Sequence, residues 1–523
     1  MTESSSTDAI DLPFFGKPSQ GGHSRSSQCP RYASCSRCLI GFLVMRLTCN
    51  DLPSAPIHIL DDDSLLNVFS RCRPLILGDC MHNFGEGEWD RARWWYGLVK
   101  VCRRWRHLVY ESAFHLRLSL VCTRRTPVAD MLAHSPSLPL TIDHFDEYQD
   151  ITAEDEEGII FALQHHDRVR HVRLLKPISI LQKLVIALDG EFPNLEYVLI
   201  KQQRYRKPMV DPNTNLNLPE SFRAPHLRHL VLMNFAIPIK SPTLTTIGNL
   251  VNLLLELIPP SAYFHPNALL KRLSLMPQLE ALGITFNSND PLHDAERQLI
   301  HAPTMTGVTL PNLRWVKFQG VGAYLEAFLP RVTAPLLEKL NVRLFAQLHH
   351  FTPHLDRFLS TAENLRLNNV TLKVTFRNDY VNLMVYPHTE AMAHTLLFEL
   401  GGPILDVQAL SAGSMFHQLS AVCSAVENLT VEYKRPPEPW SDETVDRIVW
   451  RFFLETLDNV KTLRVDNYLA GKISCALQPG EAKELLPKLQ ELSYPESGAS
   501  HKALTSFMNA RRNAGIPITV VHF

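Results

Sequence analysis

Apolar and polar positions repeat along this chain in a pattern that predicts a series of short β-strands. Six segments have the form Pro-x-Leu-x-x-(Leu/Val)-x-apolar, and they begin at Pro193, Pro225, Pro277, Pro311, Pro335 and Pro487. Looser copies without the proline begin around Val169, Leu250, Val426 and Val460. The last two apolar positions of each copy are two residues apart, so both side chains point to one face of a strand. The proline is tolerated because its missing N–H lies just before strand pairing begins.

The segments between the predicted strands have apolar residues at helical spacing, for example Tyr324, Leu325, Ala327, Phe328 and Leu329, or Phe351, Leu355, Phe358 and Leu359. Most motif copies follow one another every 23 to 34 residues. A strand and a helix of this length cannot bury their apolar sides alone, whereas stacked neighbours can. The pattern predicts an α/β solenoid over residues 119–523, with a curved parallel sheet and outer helices. A degenerate unit at residues 396–400 would fill the gap before Val426.

Two amphipathic helices are predicted before the repeats. Asp61, Asp62 and Asp63 precede an apolar run, and acidic residues at a helix start accept its free N–H groups and complement its dipole. A single second helix is predicted from six apolar positions on one face, namely Leu98, Val101, Cys102, Trp105, Leu108 and Val109. Between the helices, residues 71–97 contain aromatic side chains that are predicted to pack on the helical unit, namely Trp89, Trp94, Trp95 and Tyr96.

Composition and charge narrow the range of functions. The chain has 523 residues, of which 45% are apolar and 20% charged, so most of it should fold. Its 52 basic and 53 acidic residues nearly balance, which argues against binding nucleic acid or an anionic membrane through net charge. Residues 1–52, rich in Ser, Gly, Pro and Gln, are predicted to form a disordered tail. The polar start and the scattered cysteines favour a cytoplasmic or nuclear protein.

The sequence offers little that could form a catalytic or metal site. The phosphate-loop, dinucleotide-binding, nucleophile-elbow and H-E-x-x-H zinc patterns are missing. Cys35 and Cys38 have the spacing of half a zinc site, but the alternative of free cysteines in a flexible tail is favoured. His350 and His354 could share a helix face and bind a metal, although Pro353 disfavours a helix interior there. We therefore predict no catalytic residues, no cofactor, no metal and no enzymatic activity.

Residues 57–118 resemble an F-box, and the repeats resemble divergent leucine-rich repeats. The F-box match rests on IHILDDDSLLNVFS at its start and LVKVCRRWRHLVYESAFHLRL at its end, and the run VCRRWRHL at residues 101–108 is its more specific part. The repeats share the L-x-x-L-x-L core, but Phe235 and Val321 stand at the usual Asn/Cys position in two copies. The whole chain resembles the expanded F-box families of mushroom-forming fungi, which combine a long F-box insert with irregular repeats.

This resemblance implies a substrate-recognition subunit of a cullin–RING (SCF-type) ubiquitin ligase. A small all-α F-box module at residues 53–118, with its long insert at 71–97, would dock a Skp-type adaptor and through it a cullin. The adaptor contacts carried over from the family would be Ile57, Ile59, Leu60, Leu65, Leu66, Phe69, Val101, Cys102, Trp105 and Leu108. Some of these residues must instead form the core of the module, and the sequence does not separate the two groups. Leu60-Asp61 replaces the family's usual Leu-Pro. The alternative is therefore a non-catalytic solenoid scaffold whose F-box no longer docks an adaptor.

The repeats would hold a target protein, which the sequence does not identify. The repeated leucines build the scaffold, so recognition is expected at the polar positions of the strands or on the loops at their ends. The residues predicted to bind the target are Arg228, His229, Arg314, Trp315, Lys339, Arg343, Lys461 and Arg464. Neither a nucleic acid nor a membrane is expected as a partner.

Overall fold

The structure is a computed structural model of a chain that divides into two compact units. It describes residues 60–73, 93–145, 151–203, 216–287, 307–345, 353–387, 395–434, 443–478, 484–496 and 498–523, apart from 238, 242, 243, 246, 247 and 366. The predicted tail at 1–52 and most of the 71–97 insert lie outside these residues, as do Ile57, Ile59 and His350. The first unit comprises Met1–Cys80 and Trp94–Leu116, and the second Met81–Arg93 and Arg117–Phe523.

The first unit begins with a capped helix. Its described elements are α1 (Asp62–Cys72), α2 (Arg103–Glu111) and two 3₁₀ turns, Trp94–Tyr96 and Leu98–Lys100. The Asp61 carboxylate accepts a hydrogen bond from the Ser64 N–H at 2.6 Å, and Asp62 and Asp63 follow in the first turn. The prediction that acidic residues cap this helix is therefore confirmed.

The prediction of a single second helix over residues 98–109 is wrong. The chain forms a 3₁₀ turn and then adopts an extended backbone at Cys102, with φ −157° and ψ 173°, so α2 begins only at Arg103. The Cys102 sulfur accepts a hydrogen bond from the Trp105 N–H at 3.5 Å, which satisfies an amide that a helix start leaves free. Val101 lies at this break and remains 39% exposed.

Aromatic side chains form much of the interior of the first unit. Phe69 on α1 and Trp105 on α2 are almost fully buried, and their ring centroids lie 4.8 Å apart in an edge-to-face arrangement. Trp94 and Trp95 are buried as well, which confirms that these rings pack inside the protein. Trp89, which was expected to join them, lies outside the described residues.

The second unit is built around a large, mostly parallel sheet. Its strands are β1 (Leu120–Cys122), β2 (Leu140–His144), β3 (Val169–Lys176), β4 (Tyr197–Gln202), β5 (His229–Met233), β6 (Asn252–Ile258), β7 (Ala281–Phe286), β8 (Val308–Thr309), β9 (Trp315–Gly320), β10 (Val332–Thr333), β11 (Lys339–Leu344), β12 (Val370–Phe376), β13 (Tyr380–Pro387), β14 (Leu396–Gly401), β15 (Val426–Tyr433), β16 (Thr462–Val465), β17 (Glu491–Tyr494) and β18 (Thr519–His522). Sixteen of them form one sheet, in the order β1-β2-β3-β4-β5-β6-β7-β9-β11-β14-β13-β12-β15-β16-β17-β18. The short strands β8 and β10 pair with each other.

Helices connect many of the successive strands. They are α3 (Val128–His134), α4 (Ala153–Gln164), α5 (Ile178–Ile186), α6 (Pro266–Leu273), α7 (Gly322–Phe328), α8 (Pro353–Ser360), α9 (Leu405–Gln418), α10 (Ser420–Ser424), α11 (Glu443–Leu454), α12 (Ala470–Ala476) and α13 (Gly498–Asn513). Right-handed crossovers put such helices on one side of a parallel sheet. We call that side the core face, where Val172, Val198 and Leu230 are fully buried, and the other side the opposite face.

The repeat predicted from the sequence is confirmed as a series of strands. In each of the six proline motifs, a strand begins four residues after the proline. The first example is β4, which begins at Tyr197 after Pro193, and the last is β17, which begins at Glu491 after Pro487. The four looser copies form β3, β6, β15 and β16. The mixed α/β architecture with a mostly parallel sheet is therefore as predicted.

The expectation of a wholly parallel sheet fails at one place. β13 is antiparallel to both of its neighbours, β12 and β14. A tight turn joins β12 to β13, in which the Arg377 N–H donates to the Tyr380 carbonyl at 3.0 Å, and so short a connection can join only antiparallel strands. β14, which fulfils the prediction of a degenerate unit at 396–400, then returns to pair in parallel with β11. The helix α9 begins the return to β15.

Candidate functional site

Aromatic and polar side chains line the beginning of four neighbouring strands on the opposite face. The strand register aligns His171, Tyr197, His229 and Asn252 on β3 to β6. The Tyr197 ring lies 6.2 Å from the His171 ring and 5.6 Å from the His229 ring. The Asn252 amide nitrogen is 2.6 Å from Nδ1 of His229, so each member touches the next. We call this set the aromatic row.

His171 is an uncharged member of the aromatic row. The pKa of His171 is lowered to about 4, chiefly by burial and then by the Arg170 guanidinium, while Glu196 acts in the opposite direction. The Thr141 hydroxyl lies 3.3 Å from Nδ1 of the imidazole. Because the ring is neutral at physiological pH, it contributes shape and hydrogen-bonding groups rather than charge to this part of the face.

An apolar cluster lies beside the aromatic row. Leu199, Val231 and Leu254 are paired in register on β4, β5 and β6, and each is almost fully buried. Three partly buried rings pack against them: Phe145, Tyr197 and Trp315. In a sheet with one face in solvent these positions are usually polar. We call these six residues the apolar cluster.

Gly283 leaves room for the Leu254 side chain at one edge of the apolar cluster. It follows Leu254 in register on β7, and a Cβ at this position would lie 2.9 Å from the Cγ atom of Leu254. The leucine side chain therefore occupies space that only a glycine leaves open. The neighbouring Ala281, which aligns with Trp315 on β9, is likewise small.

Charged groups border the apolar cluster. The Glu256 carboxylate on β6 is 3.2 Å from the Lys201 ammonium and 2.8 Å from the Lys317 ammonium. Burial acts to raise the pKa of Glu256, but the two lysines outweigh it and hold the pKa below its usual value. On the other side, the Arg173 guanidinium lies 5.1 Å from the centre of the Phe145 ring and 3.8 Å from the Asp143 carboxylate.

The structure brings some of the predicted target-binding residues together and separates others. His229, Trp315 and Lys339 share one register line on the opposite face. Arg343 lies farther along the same strand as Lys339 and forms an ion pair with Glu399 at 3.4 Å. Arg464, on β16 toward the other end of the sheet, stacks on the Phe523 ring at 3.8 Å.

Three predicted target-binding residues lie outside the strands. Arg228, Arg314 and Lys461 each come one or more residues before a strand begins, because strand pairing starts after the leading leucine and its following polar residue. The Arg314 side chain pairs with Glu338 at 2.5 Å, and the Lys461 side chain with Glu427 at 2.8 Å. Arg228 lines a cleft of about 330 Å³ with Glu196, His226, Asn249, Val251 and Gln278. Their prediction as strand residues is therefore wrong.

Sequence reasoning missed the apolar cluster, although a signal for it exists. In three successive motif copies the position between the two core residues is itself apolar, as Leu199, Val231 and Leu254. Such a strand is apolar on both faces, which is the pattern of a strand buried on both faces. All apolar positions of the motif were interpreted as scaffold, so these three residues were not recognised as a separate apolar group on the opposite face.

The predicted adaptor contacts fall into groups with different environments. Leu65, Phe69, Trp105 and Leu108 are at most 8% exposed, so they belong to the interior of the first unit. Leu66 and Cys102 are partly buried. Leu60 and Val101 are 36% and 39% exposed, and Phe114, which the sequence did not single out, is 97% exposed. Ile57 and Ile59 lie outside the described residues.

Comparisons with known proteins identify no family for the chain. No family model matches it, and no curated protein matches it either. A solved structure, that of the leucine-rich repeat-containing protein LegL7 from Legionella pneumophila, is similar at 11% identity, over 75% of this chain and 97% of that chain, with a TM-score of 0.23. The repeat architecture of this chain rests on the strand order described above and not on this likeness.

Two negative findings apply to the described part of the chain. No helix there is both long enough and apolar enough to cross a membrane. Within the same residues, no three His, Cys, Asp or Glu side chains come together in a way that could hold a metal ion. His354, half of the histidine pair considered above, lies at the start of α8, where its backbone N–H donates to Glu326 at 3.2 Å.

Proposed function

We propose that this chain is a substrate-recognition subunit of an SCF-type cullin–RING ubiquitin ligase. The first unit would dock a Skp-type adaptor, and through it a cullin, while the second unit would hold a target protein. Such a subunit transfers nothing itself and needs no catalytic residue, because it acts by raising the local concentration of the target near a ubiquitin-loaded enzyme. It would work in the cytoplasm, the nucleus or both.

The observation that carries this proposal is the apolar cluster with its charged border on the second unit. Protein interfaces combine an apolar, aromatic-rich centre with a polar rim. The rings of Phe145, Tyr197 and Trp315 match the first part, and the partly exposed lysines that pair with Glu256 match the second. This combination supports protein binding more than it supports chemistry on a small molecule.

The first unit supports the adaptor half of the proposal through its exposed apolar side chains. Leu60, Val101 and Phe114 would form the contact, and buried residues such as Trp105 would position them. Large apolar side chains on a surface are frequent anchors of interfaces once a partner excludes water from them. The adaptor contacts are therefore proposed for the exposed residues rather than for the whole set taken from the family.

Affinity purification of the tagged full chain from expressing cells, under native conditions, tests the proposal. We expect the wild-type chain to recover a Skp-type adaptor and a cullin. Val101→Asp combined with Leu60→Asp should abolish this recovery, because a carboxylate buried without a partner is costly. The matched control is Ile186→Asp on α5, an exposed apolar residue of the second unit that should leave recovery unchanged.

The second candidate is a solenoid scaffold that docks no adaptor. It is favoured by Asp61, which replaces the family's proline and serves as the cap of α1. Wild-type chain that recovers neither adaptor nor cullin, while still folded by circular dichroism, would support the scaffold and rule out the ligase subunit.

A further inference from the structure

The opposite face carries an excess of positive charge over the strands from β2 to β11. Five cationic side chains and two carboxylates point to it in this span, namely Arg173, Lys201, Lys317, Lys339, Arg343, Asp143 and Glu256. Glu399 on the next strand, β14, pairs with Arg343 on the same face, so the excess is two positive charges. The whole chain has a formal net charge of only −1. A local excess of positive charge of this kind attracts a partner of opposite charge.

Two of these cations lie directly beside the partly buried ring of Trp315. Lys339 is the register neighbour of Trp315 on the adjacent strand, and Lys317 is two residues beyond Trp315 on the same strand and face. Lys339 is exposed and makes no side-chain hydrogen bond or ion pair with the described residues. Lys317 shares the Glu256 carboxylate with Lys201, so this group of three charges retains one positive charge in excess.

The dimensions of the apolar cluster suit an extended segment. The part of it that extends from Tyr197 on β4 to Trp315 on β9 crosses four strand spacings of the sheet. At about 4.8 Å for each spacing this is about 19 Å, a distance that about six residues of extended chain cover. A segment crossing the strands would meet the rings first and then reach Lys317 and Lys339.

We propose that this face binds an extended peptide segment of a partner protein in which a large apolar side chain is flanked by acidic residues. The apolar side chain packs on the rings of the apolar cluster, and the carboxylates pair with Lys317 and Lys339. The inference rests on the proposed function, since it names the chemistry of the target. Nucleic acid fits less well, because the centre of the face is apolar, whereas most contacts to nucleic acid are polar contacts to phosphate and sugar.

Peptide display on the full chain tests this directly. A phage library of random peptides about 12 residues long, sufficient to span the cluster, is selected on the wild-type protein. We expect enriched peptides to share an aromatic or large aliphatic residue next to Asp or Glu. Enrichment of basic peptides, or of none, overturns the proposal. A chain that dimerises in sedimentation and becomes monomeric on Trp315→Ala assigns the face to self-association and overturns it as well.

Charge variants then test the binding mode, with a synthetic copy of the most enriched peptide followed by fluorescence anisotropy. Lys339→Glu should weaken binding about tenfold, because it replaces an attraction at the rim by a repulsion. Glu256→Gln should strengthen it about threefold by releasing both lysines. The matched control is Lys271→Glu on α6, an exposed lysine on a helix, which should change nothing. Equal effects of Lys339→Glu and Lys271→Glu contradict the proposal.

These outcomes are separable from those of the proposed function. Peptide binding is measured without an adaptor, and adaptor recovery is measured without a peptide. A chain that selects acidic and apolar peptides but recovers no adaptor keeps the binding face and loses the ligase assignment. A chain that recovers the adaptor but selects no such peptide loses only the inference about the target.

Discussion

Val101 and Trp105 are four residues apart in the first unit and have opposite environments. Trp105 is 5% exposed and packs edge to face on Phe69, whereas Val101 is 39% exposed at the break before α2. In an uninterrupted helix the two side chains would lie on the same face. The extended backbone at Cys102 separates them, so one residue serves the interior and the other is free for a partner.

We expect Trp105→Ala and Val101→Ser to separate these roles. Trp105→Ala should lower the free energy of unfolding of the first unit by about 3–5 kcal/mol, the usual cost of removing a buried aromatic ring. Val101→Ser should change it by less than about 0.5 kcal/mol, as at other exposed sites. Hydrogen exchange of the amides in α1 and α2 measures both. Equal acceleration by the two substitutions would contradict the separation.

Glu326 on α7 gives the second prediction at this scale. Burial raises the pKa of Glu326 to about 7, although the His354 N–H that it accepts acts to lower it. The Glu326 carboxyl therefore binds its proton more tightly in the folded chain than in the unfolded chain, where its pKa is near 4.5. This difference in proton binding stabilises the folded chain below pH 4.5, and the stabilisation is lost as the pH rises through about 7.

Glu326→Gln removes this titration and keeps an oxygen that can accept the His354 N–H. We expect the variant to match the wild type at pH 4 and to be more stable by about 1 kcal/mol at pH 8, a value reduced for solvent screening at a half-exposed group. Urea unfolding at the two pH values measures the difference. A difference that does not vary with pH would show that this carboxyl titrates normally.

At the scale of elements, two helical glycines predict opposite effects of one substitution. A Cβ at Gly413 on α9 would lie 2.7 Å from Cδ1 of Phe452 on α11, whereas nothing lies within 4 Å of a Cβ at Gly471 on α12. Gly413→Ala should destabilise the second unit by about 1–3 kcal/mol, since the helices must move apart. Gly471→Ala should stabilise it by up to about 1 kcal/mol through helix propensity.

Chemical denaturation of the two alanine variants under identical conditions checks this pair. Helix propensity alone predicts the same sign for both, so the difference in sign isolates the packing of α9 against α11. If Gly413→Ala also stabilises the chain, the two helices are not in close contact at this point.

Elements whose positions depend on local pattern could be predicted from the sequence. The proline motif gave the start of β4, β5, β7, β9, β11 and β17, because a proline and a fixed apolar spacing act within a few residues. The direction of β13 could not be predicted in this way. Its alternation of Val381, Leu383 and Val385 is that of any strand, and only the turn and the partner strands decide that it runs antiparallel.

The side chains on the opposite face were predictable only in part for a similar reason. Trp315 and Lys339 follow from their positions within the motif, and the structure does align them. The pairing of Glu256 with Lys201 and Lys317 joins residues from three different repeats. Such a grouping depends on the strand register, and the register does not follow from the sequence because the spacing between motif copies is irregular. The break at Cys102 escaped prediction because its flanking residues fit a helical period.

At the scale of the molecule, the second unit behaves as a one-dimensional array. Each strand of the large sheet pairs only with its neighbours in the strand order. Stability in such arrays is approximately a sum of local units and nearest-neighbour interfaces. Damage at an end and damage in the interior should therefore have different consequences.

A truncation after Ala514 and a substitution at Leu383 test this difference. The truncation removes β18, which pairs only with β17 and is largely exposed, so protection from hydrogen exchange in β3 to β11 should be unchanged. Leu383→Ala leaves a cavity in β13, which pairs with β12 and β14, and should cost about 2–5 kcal/mol. Its effect on exchange should be largest from β11 to β15 and decline toward β3. Uniform loss of protection after the truncation would mean that the sheet unfolds as one cooperative block rather than as an array.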